Sequence, residues 1–83
     1  MTYDVEFSLE AAAELVRIAA ALPPAASVLQ AVEAIRRTLE LDPAKAGHFL
    51  SEGLYYIDEE PLRAFFVIDD ESMVVEITDF RNI

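Results

Sequence analysis

An α+β fold in the order β-α-α-β-β-β is predicted by three features of the sequence. Between Gly53 and Phe80 the chain breaks into three short apolar runs, Leu54 to Ile57, Leu62 to Ile68 and Met73 to Ile77, separated by acidic residues. Short β-branched and aromatic runs bounded by turn residues read as a strand meander. Between Ser8 and Leu41 the apolar residues recur with helical spacing, interrupted once by Pro23-Pro24. Ahead of both, Thr2 to Phe7 alternates, with Tyr3, Val5 and Phe7 on one side and Asp4 and Glu6 on the other. Period-two alternation is the mark of a half-exposed strand. A helical hairpin packed on one face of an antiparallel sheet satisfies all three.

The elements follow in order. Ser8 is a natural N-cap for the first helix, and Glu10 sits in its first turn, where the helix dipole favours an acid. This helix runs to about Ala21, with Leu9, Ala12, Ala13, Val16, Ala19 and Ala20 as its stripe, widened by Leu15, Ile18 and Leu22. Pro23-Pro24 stops it and opens the next. Ser27 and Gln30 also fit a capping box, so the second helix starts between Pro24 and Val28 and ends at about Leu41, before Asp42-Pro43. Val28, Ala31, Val32, Ile35 and Leu39 form its buried stripe. Glu33–Arg37 and Arg36–Glu40 are i,i+4 pairs on the opposite side. Residues 44–53 are the least regular stretch, with His48, Phe49 and Leu50 as a candidate extra strand. Pro61 belongs at a strand start and Asp69-Asp70-Glu71-Ser72 at a hairpin turn. The middle run of the meander is apolar on both faces, so it is the central strand. Alternation sets Arg63, Phe65 and Val67 on one face and Leu62, Ala64, Phe66 and Ile68 on the other. Phe66 and Ile68 are expected against the helices, with Val16, Val32, Ile35 and Leu39.

The 83 residues are expected to form one domain, 1–83, and 54% of them are hydrophobic. That fraction is high for so small a core and leaves apolar surface for a partner. There is no cysteine, so neither a disulfide nor a thiolate metal site is available. No signal peptide or membrane-length apolar run is visible, and a cytoplasmic protein is expected. Six basic against 16 acidic residues give a net charge of −10, and residues 54–83 carry eight acids to two arginines. Such a balance repels nucleic-acid phosphates; it reads either as a solubility device or as a surface for a basic partner.

Recognisable catalytic or metal constellations are few. His48 is the only histidine, without a cysteine or a spaced set of carboxylates to make it a metal ligand. Asp58-Glu59-Glu60 and Asp69-Asp70-Glu71 read as solvated turns. No metal or other cofactor is expected. Arg63 stands out as a cation inside an apolar run; it is either an edge arginine paired with Glu76 or Asp79, or a group presented on an open groove. Arg81, beyond the last run, is the second such residue.

Taken together, the order and motifs resemble the RelE/ParE toxin superfamily of toxin–antitoxin systems. The resemblance rests on the opening Tyr3-Asp4-Val5-Glu6-Phe7-Ser8 and the Ala11/Leu15 helix. It continues through Ile35-Arg36-Arg37-Thr38-Leu39-Glu40-Leu41-Asp42-Pro43, Gly47, and Gly53-Leu54-Tyr55-Tyr56-Ile57 leading to Pro61-Leu62-Arg63-Ala64-Phe65-Phe66-Val67-Ile68. It implies a helical hairpin on one sheet face and a groove on the other. In the ribonuclease branch that groove binds ribosome-associated mRNA, and a cognate antitoxin wraps the toxin. Arg63 matches the family's strand arginine, which helps hold phosphate, and Arg81 lies where relatives carry C-terminal basic or aromatic catalytic residues. Active relatives are strongly basic, whereas here the sole lysine is Lys45, and no terminal tyrosine follows the last strand before Ile83.

The expected function is that of a toxin-family protein acting through protein binding, with Tyr55, Phe65 and Val67 on the partner surface. Two alternatives stand beside it: a translation-dependent mRNA endoribonuclease using Arg63 and Arg81, and a stand-alone dimeric regulatory domain. The expected partner is an antitoxin or a second copy, with nucleic acid reached only through the ribosome.

Overall fold

The computed structural model describes residues 2–83. Its elements are β1 (Asp4–Phe7), α1 (Leu9–Ala21), α2 (Ala25–Leu41), the short α3 (Pro43–Ala46), β2 (His48–Ser51), β3 (Leu54–Glu59), β4 (Leu62–Asp69) and β5 (Val74–Asn82). The five strands form one sheet in the order β1-β5-β4-β3-β2. The three meander pairings are antiparallel, while β1 runs parallel to β5 at the far edge. The helical hairpin covers one face of this sheet. That is the expected α+β arrangement, with β4 near the centre and the candidate stretch 48–50 realised as edge strand β2.

Local chemistry explains most boundaries. The Ser8 hydroxyl accepts a hydrogen bond from the Ala11 amide, capping α1. The Asp42 carboxylate accepts from the Lys45 amide and caps α3, with Pro43 in its first turn. So Asp42-Pro43 both ends α2 and starts the next turn of helix. In the β4–β5 turn, the Asp69 carboxylate accepts from the Glu71 and Ser72 amides, and hydrogen bonding, chiefly from the Ser72 side chain and then from these amides, holds its carboxyl below the usual range. Met73 follows at φ 57 and belongs to that turn rather than to the strand.

The core lies between the sheet and the helices. Phe66, Phe80, Ile77, Val75, Leu62 and Ala64 from β4 and β5 meet Ile18 and Ala11 of α1 and Val28, Ala31, Ile35 and Leu39 of α2, all essentially buried. Full burial of each large side chain contributes roughly 1.5–3 kcal/mol. Val32 and Ile68 pack against this core while partly exposed. Val16 does not: it is 69% exposed, and Leu9 is 87% exposed. The residues of α1 that pack are Ala11, Leu15, Ile18, Ala19 and Leu22, so the helix is turned onto the widening residues Leu15, Ile18 and Leu22 of the expected stripe rather than its centre.

β5 also runs further than its alternation suggests. Phe65 pairs with Asp79 but Phe66 pairs with Ile77, so Thr78 is an unpaired bulge residue. A bulge changes which side chains reach each face. Here it lets Val75, Ile77 and Phe80 all point into the core. The Thr78 hydroxyl donates to the Phe65 carbonyl, and the Ser8 hydroxyl donates to the Thr78 carbonyl, tying the bulge to the start of α1.

The open sheet face

The face turned away from the helices is the candidate site. Register fixes what lies on it. His48 of β2 pairs with Tyr56 of β3, and Tyr56 with Phe65 of β4, so the three rings form a row across the sheet. His48 stacks on Tyr56 at 5.0 Å between centroids, and Tyr56 meets Phe65 at 6.4 Å. A second row runs beside the first: Asp58 pairs with Arg63, and Arg63 with Arg81. The bulge at Thr78 brings Asp79 and Arg81 onto this face; an unbroken alternation from Ile77 would have turned them inward.

The two arginines have different surroundings. The Arg63 guanidinium donates two hydrogen bonds to Asp58, 2.6 Å from Nε to Oδ1 and 2.9 Å from Nη2 to Oδ2. It also lies over the Tyr56 ring, 4.4 Å from the centroid. A forked pair of this kind is the strong form of a charge-assisted bond. It holds the Asp58 carboxyl below the usual range, chiefly through the hydrogen bond from Arg63, and raises Arg63 further by the same bond. Arg81 lies over Phe65 at 5.4 Å, and among the described residues no carboxylate is within ion-pair distance of it. A shallow hollow of about 270 Å³ lies on this face, lined by Leu54, Phe65, Thr78, Asp79 and Arg81. A second, of about 460 Å³, lies where α1 meets the end of β5, with Glu14, Arg17, Asp79 and Arg81 among its walls.

Toward β1 the face changes character. Glu6 and Glu76 are register partners, and Val67 lies next in the same row. Asp4 precedes Glu6 by two residues, on the same side of β1. The open face therefore has an aromatic and arginine-bearing half and an acidic half.

The sequence-predicted residues divide accordingly. Arg63, Arg81, Phe65 and Val67 share the open face. Tyr55 does not join them: it pairs with Phe66 and stacks on it at 5.6 Å on the helix-covered side. The reason is the strand period, since Tyr56 pairs with Phe65 and its neighbour must point the other way. Arg63 is paired with Asp58 rather than with Glu76 or Asp79. Tyr56, left open together with Tyr55 as the ring facing the groove, is the one on the open face, and His48 was not singled out as a site residue. The signal for Tyr56 was the alternation itself, once the pairing with β4 is known. His48, exposed as expected, opens the candidate extra strand, now β2, with its ring over Tyr56. Among the described residues no cluster of His, Asp or Glu is arranged to hold a metal ion, and no helix is long and apolar enough to cross a membrane.

No family profile and no curated protein sequence matches the chain. Solved structures do. A chain in the RelBE2 toxin–antitoxin complex from Mycobacterium tuberculosis aligns with a TM-score of 0.83 and 26% identity, covering 100% of this chain and 93% of that one. A chain in the archaeal RelE–RelB complex from Pyrococcus horikoshii OT3 aligns at 0.70 and 19%, over 99% and 96% of the two chains. A chain in the chromosomal ParDE toxin–antitoxin system from P. aeruginosa aligns at 0.73 and 19%, over 98% and 96%. The last two carry the likeness of fold alone.

Proposed function

We propose that the chain is a member of the RelE/ParE toxin superfamily and the toxin of a toxin–antitoxin module, acting in the cytoplasm through protein binding. The observation that carries this reading is the end-to-end match to a chain of the RelBE2 toxin–antitoxin complex, at a TM-score of 0.83. The expected partner is an antitoxin encoded beside it.

Binding rather than RNA cleavage is favoured by the electrostatics of the open face. Metal-independent cleavage needs an acid and a base in place, and cations free to stabilise charge developing on the phosphate. Arg63 already spends its charge on Asp58. Asp4, Glu6, Asp58, Glu76 and Asp79 outnumber Arg63 and Arg81, and a net charge of −10 opposes the approach of a phosphate backbone.

One observation favours the second reading, a translation-dependent endoribonuclease. His48 and Arg63 both lie against the Tyr56 ring on the open face, which sets an imidazole and a guanidinium side by side there. The deciding experiment is expression in growing cells, alone and with the adjacent small reading frame, while growth and mRNA ends are followed. Growth arrest relieved by the neighbour, and kept by the Arg63→Ala/Arg81→Ala double variant, is the expected result. Codon-positioned cleavage that the double variant abolishes would establish the ribonuclease instead. The absence of both arrest and a complex with any neighbour would remove the toxin reading.

A further inference from the structure

We infer that the open sheet face is the docking surface for a basic protein segment, whose arginine or lysine side chains pair with the Glu6–Glu76 row while an apolar side chain lies over Val67 and Phe65. This deepens the protein-binding reading above by giving the partner's chemistry, and it rests on that reading.

Four observations converge on it. The face is uncovered, and Tyr56, Phe65 and Val67 on it are only half-buried. Glu6 and Glu76 stand in register on neighbouring strands, with Asp4 beside them, and none of the three has an ion-pair partner among the described residues. Like charges directly opposite on a sheet are destabilising, and a cation supplied by a partner would relieve that. The same face shows how it holds a guanidinium: Arg63 sits on the Tyr56 ring with both ends of its fork on Asp58. Finally, a hollow of about 270 Å³ lined by Leu54, Phe65, Thr78, Asp79 and Arg81 lies on this face, enough for one apolar side chain.

The same features exclude other occupants. A second copy of the chain would bring another −10 and would set the Glu6–Glu76 row against itself in a two-fold contact. A nucleic acid would bring phosphates to five carboxylates and two arginines, one of them already paired. β4 spans roughly 26 Å at about 3.3 Å per residue, so an extended segment of about eight residues would cross the face.

The test is a titration of the isotope-labelled full chain with a synthetic peptide of about eight alternating arginines and leucines, matched in length to β4. A glutamate–leucine peptide and a single-stranded RNA oligonucleotide serve as comparisons. The expected result is amide shifts at Glu6, Tyr56, Phe65, Val67 and Glu76 with the arginine peptide alone. Affinity should fall about tenfold or more in Glu6→Gln/Glu76→Gln, and little in Glu10→Gln/Glu33→Gln, which removes the same charge from the helices. Shifts confined to the helices, equal weakening in both variants, or tighter binding of the RNA to this face would overturn the inference. An adjacent gene product that relieves growth arrest yet leaves these amides unshifted would overturn it too, with the toxin reading standing. Open-face binding of the arginine peptide without any growth arrest would do the reverse.

Discussion

Gly47 has an extended backbone, φ −85, so its lack of a side chain is not about left-handed geometry. It is about space: a Cβ there would lie 2.5 Å from Cζ of Phe66 and 3.1 Å from the Pro43 carbonyl oxygen. Phe66 is fully buried and stacked on Tyr55, so its ring has little room to retreat. Gly47→Ala is expected to cost about 1–3 kcal/mol, the usual range for overpacking, read from the midpoint of urea unfolding. A loss below about 0.5 kcal/mol, the ordinary surface range, would mean the ring moves freely. Gly53 is the contrasting case, with φ 78 and open space around it; there the backbone, not a neighbour, selects glycine. The Asp58–Arg63 pair gives a second residue-scale expectation. Because the folded carboxyl titrates below its ordinary value, the pair's contribution is present above the unfolded aspartate pKa of about 3.9 and is lost as pH falls through the lower folded value. Arg63→Ala should move the Asp58 titration, followed by carboxyl NMR, back up toward that ordinary value. An unmoved titration would show that Arg63 is not what depresses it.

Element by element, what the sequence disclosed depended on how much of the pattern was unique. β3, β4 and the capped start of α1 were legible because period two, turn residues and Ser8 all agreed. The rotation of α1 was not. Its apolar residues nearly encircle the helix, leaving only a strip of Glu10, Glu14 and Arg17, so several stripes fit equally well. Packing on β5 selects Ala11, Leu15, Ile18, Ala19 and Leu22, and leaves Leu9 and Val16 in water. Ile18→Ala should therefore cost about 2–5 kcal/mol, while Val16→Ala should stay within roughly 0.5 kcal/mol in the same urea measurement. Comparable losses at the two sites would refute this rotation. The end of β5 was illegible for a different reason. Alternation stops at Thr78-Asp79, which reads as the end of a strand, but the fold absorbs the extra residue in a bulge and resumes with Phe80 inward. Half of the candidate site followed from this: Arg63 and Phe65 could be placed by alternation, whereas the position of Arg81 opposite Arg63 exists only because of the bulge. Tyr55 and Tyr56 were adjacent and chemically equal, so only the pairing with β4 could assign one to each face.

At the scale of the whole molecule, the net charge of −10 is confined to a body with extents of 37 × 23 × 20 Å. At about 0.01 M ionic strength the screening length is about 30 Å, so nearly every carboxylate feels every other; at 1 M it is about 3 Å. Repulsion among ten net charges at this size is of order several kcal/mol at low salt, and it falls in the expanded unfolded chain, so it destabilises the fold. The opposing effect is the screening of the five ion pairs among the described residues, Arg17–Glu14, Arg36–Glu33, Arg36–Glu40, Arg37–Glu33 and Arg63–Asp58. Exposed pairs of this kind each contribute little, and together less than the global term. Sodium chloride raised from about 0.01 M to about 0.5 M should therefore raise Tm, by roughly 5–15 °C for a domain of this length. The Glu6→Gln/Glu76→Gln variant separates charge from other effects of salt. With two fewer carboxylates and no ion pair lost, it should melt higher than the parent at low salt, and the gap should close as salt is added. A parent Tm that is flat or falls with salt would show that the local pairs outweigh the net charge. A variant gap that persists at high salt would trace its gain to something other than relief of the Glu6–Glu76 repulsion.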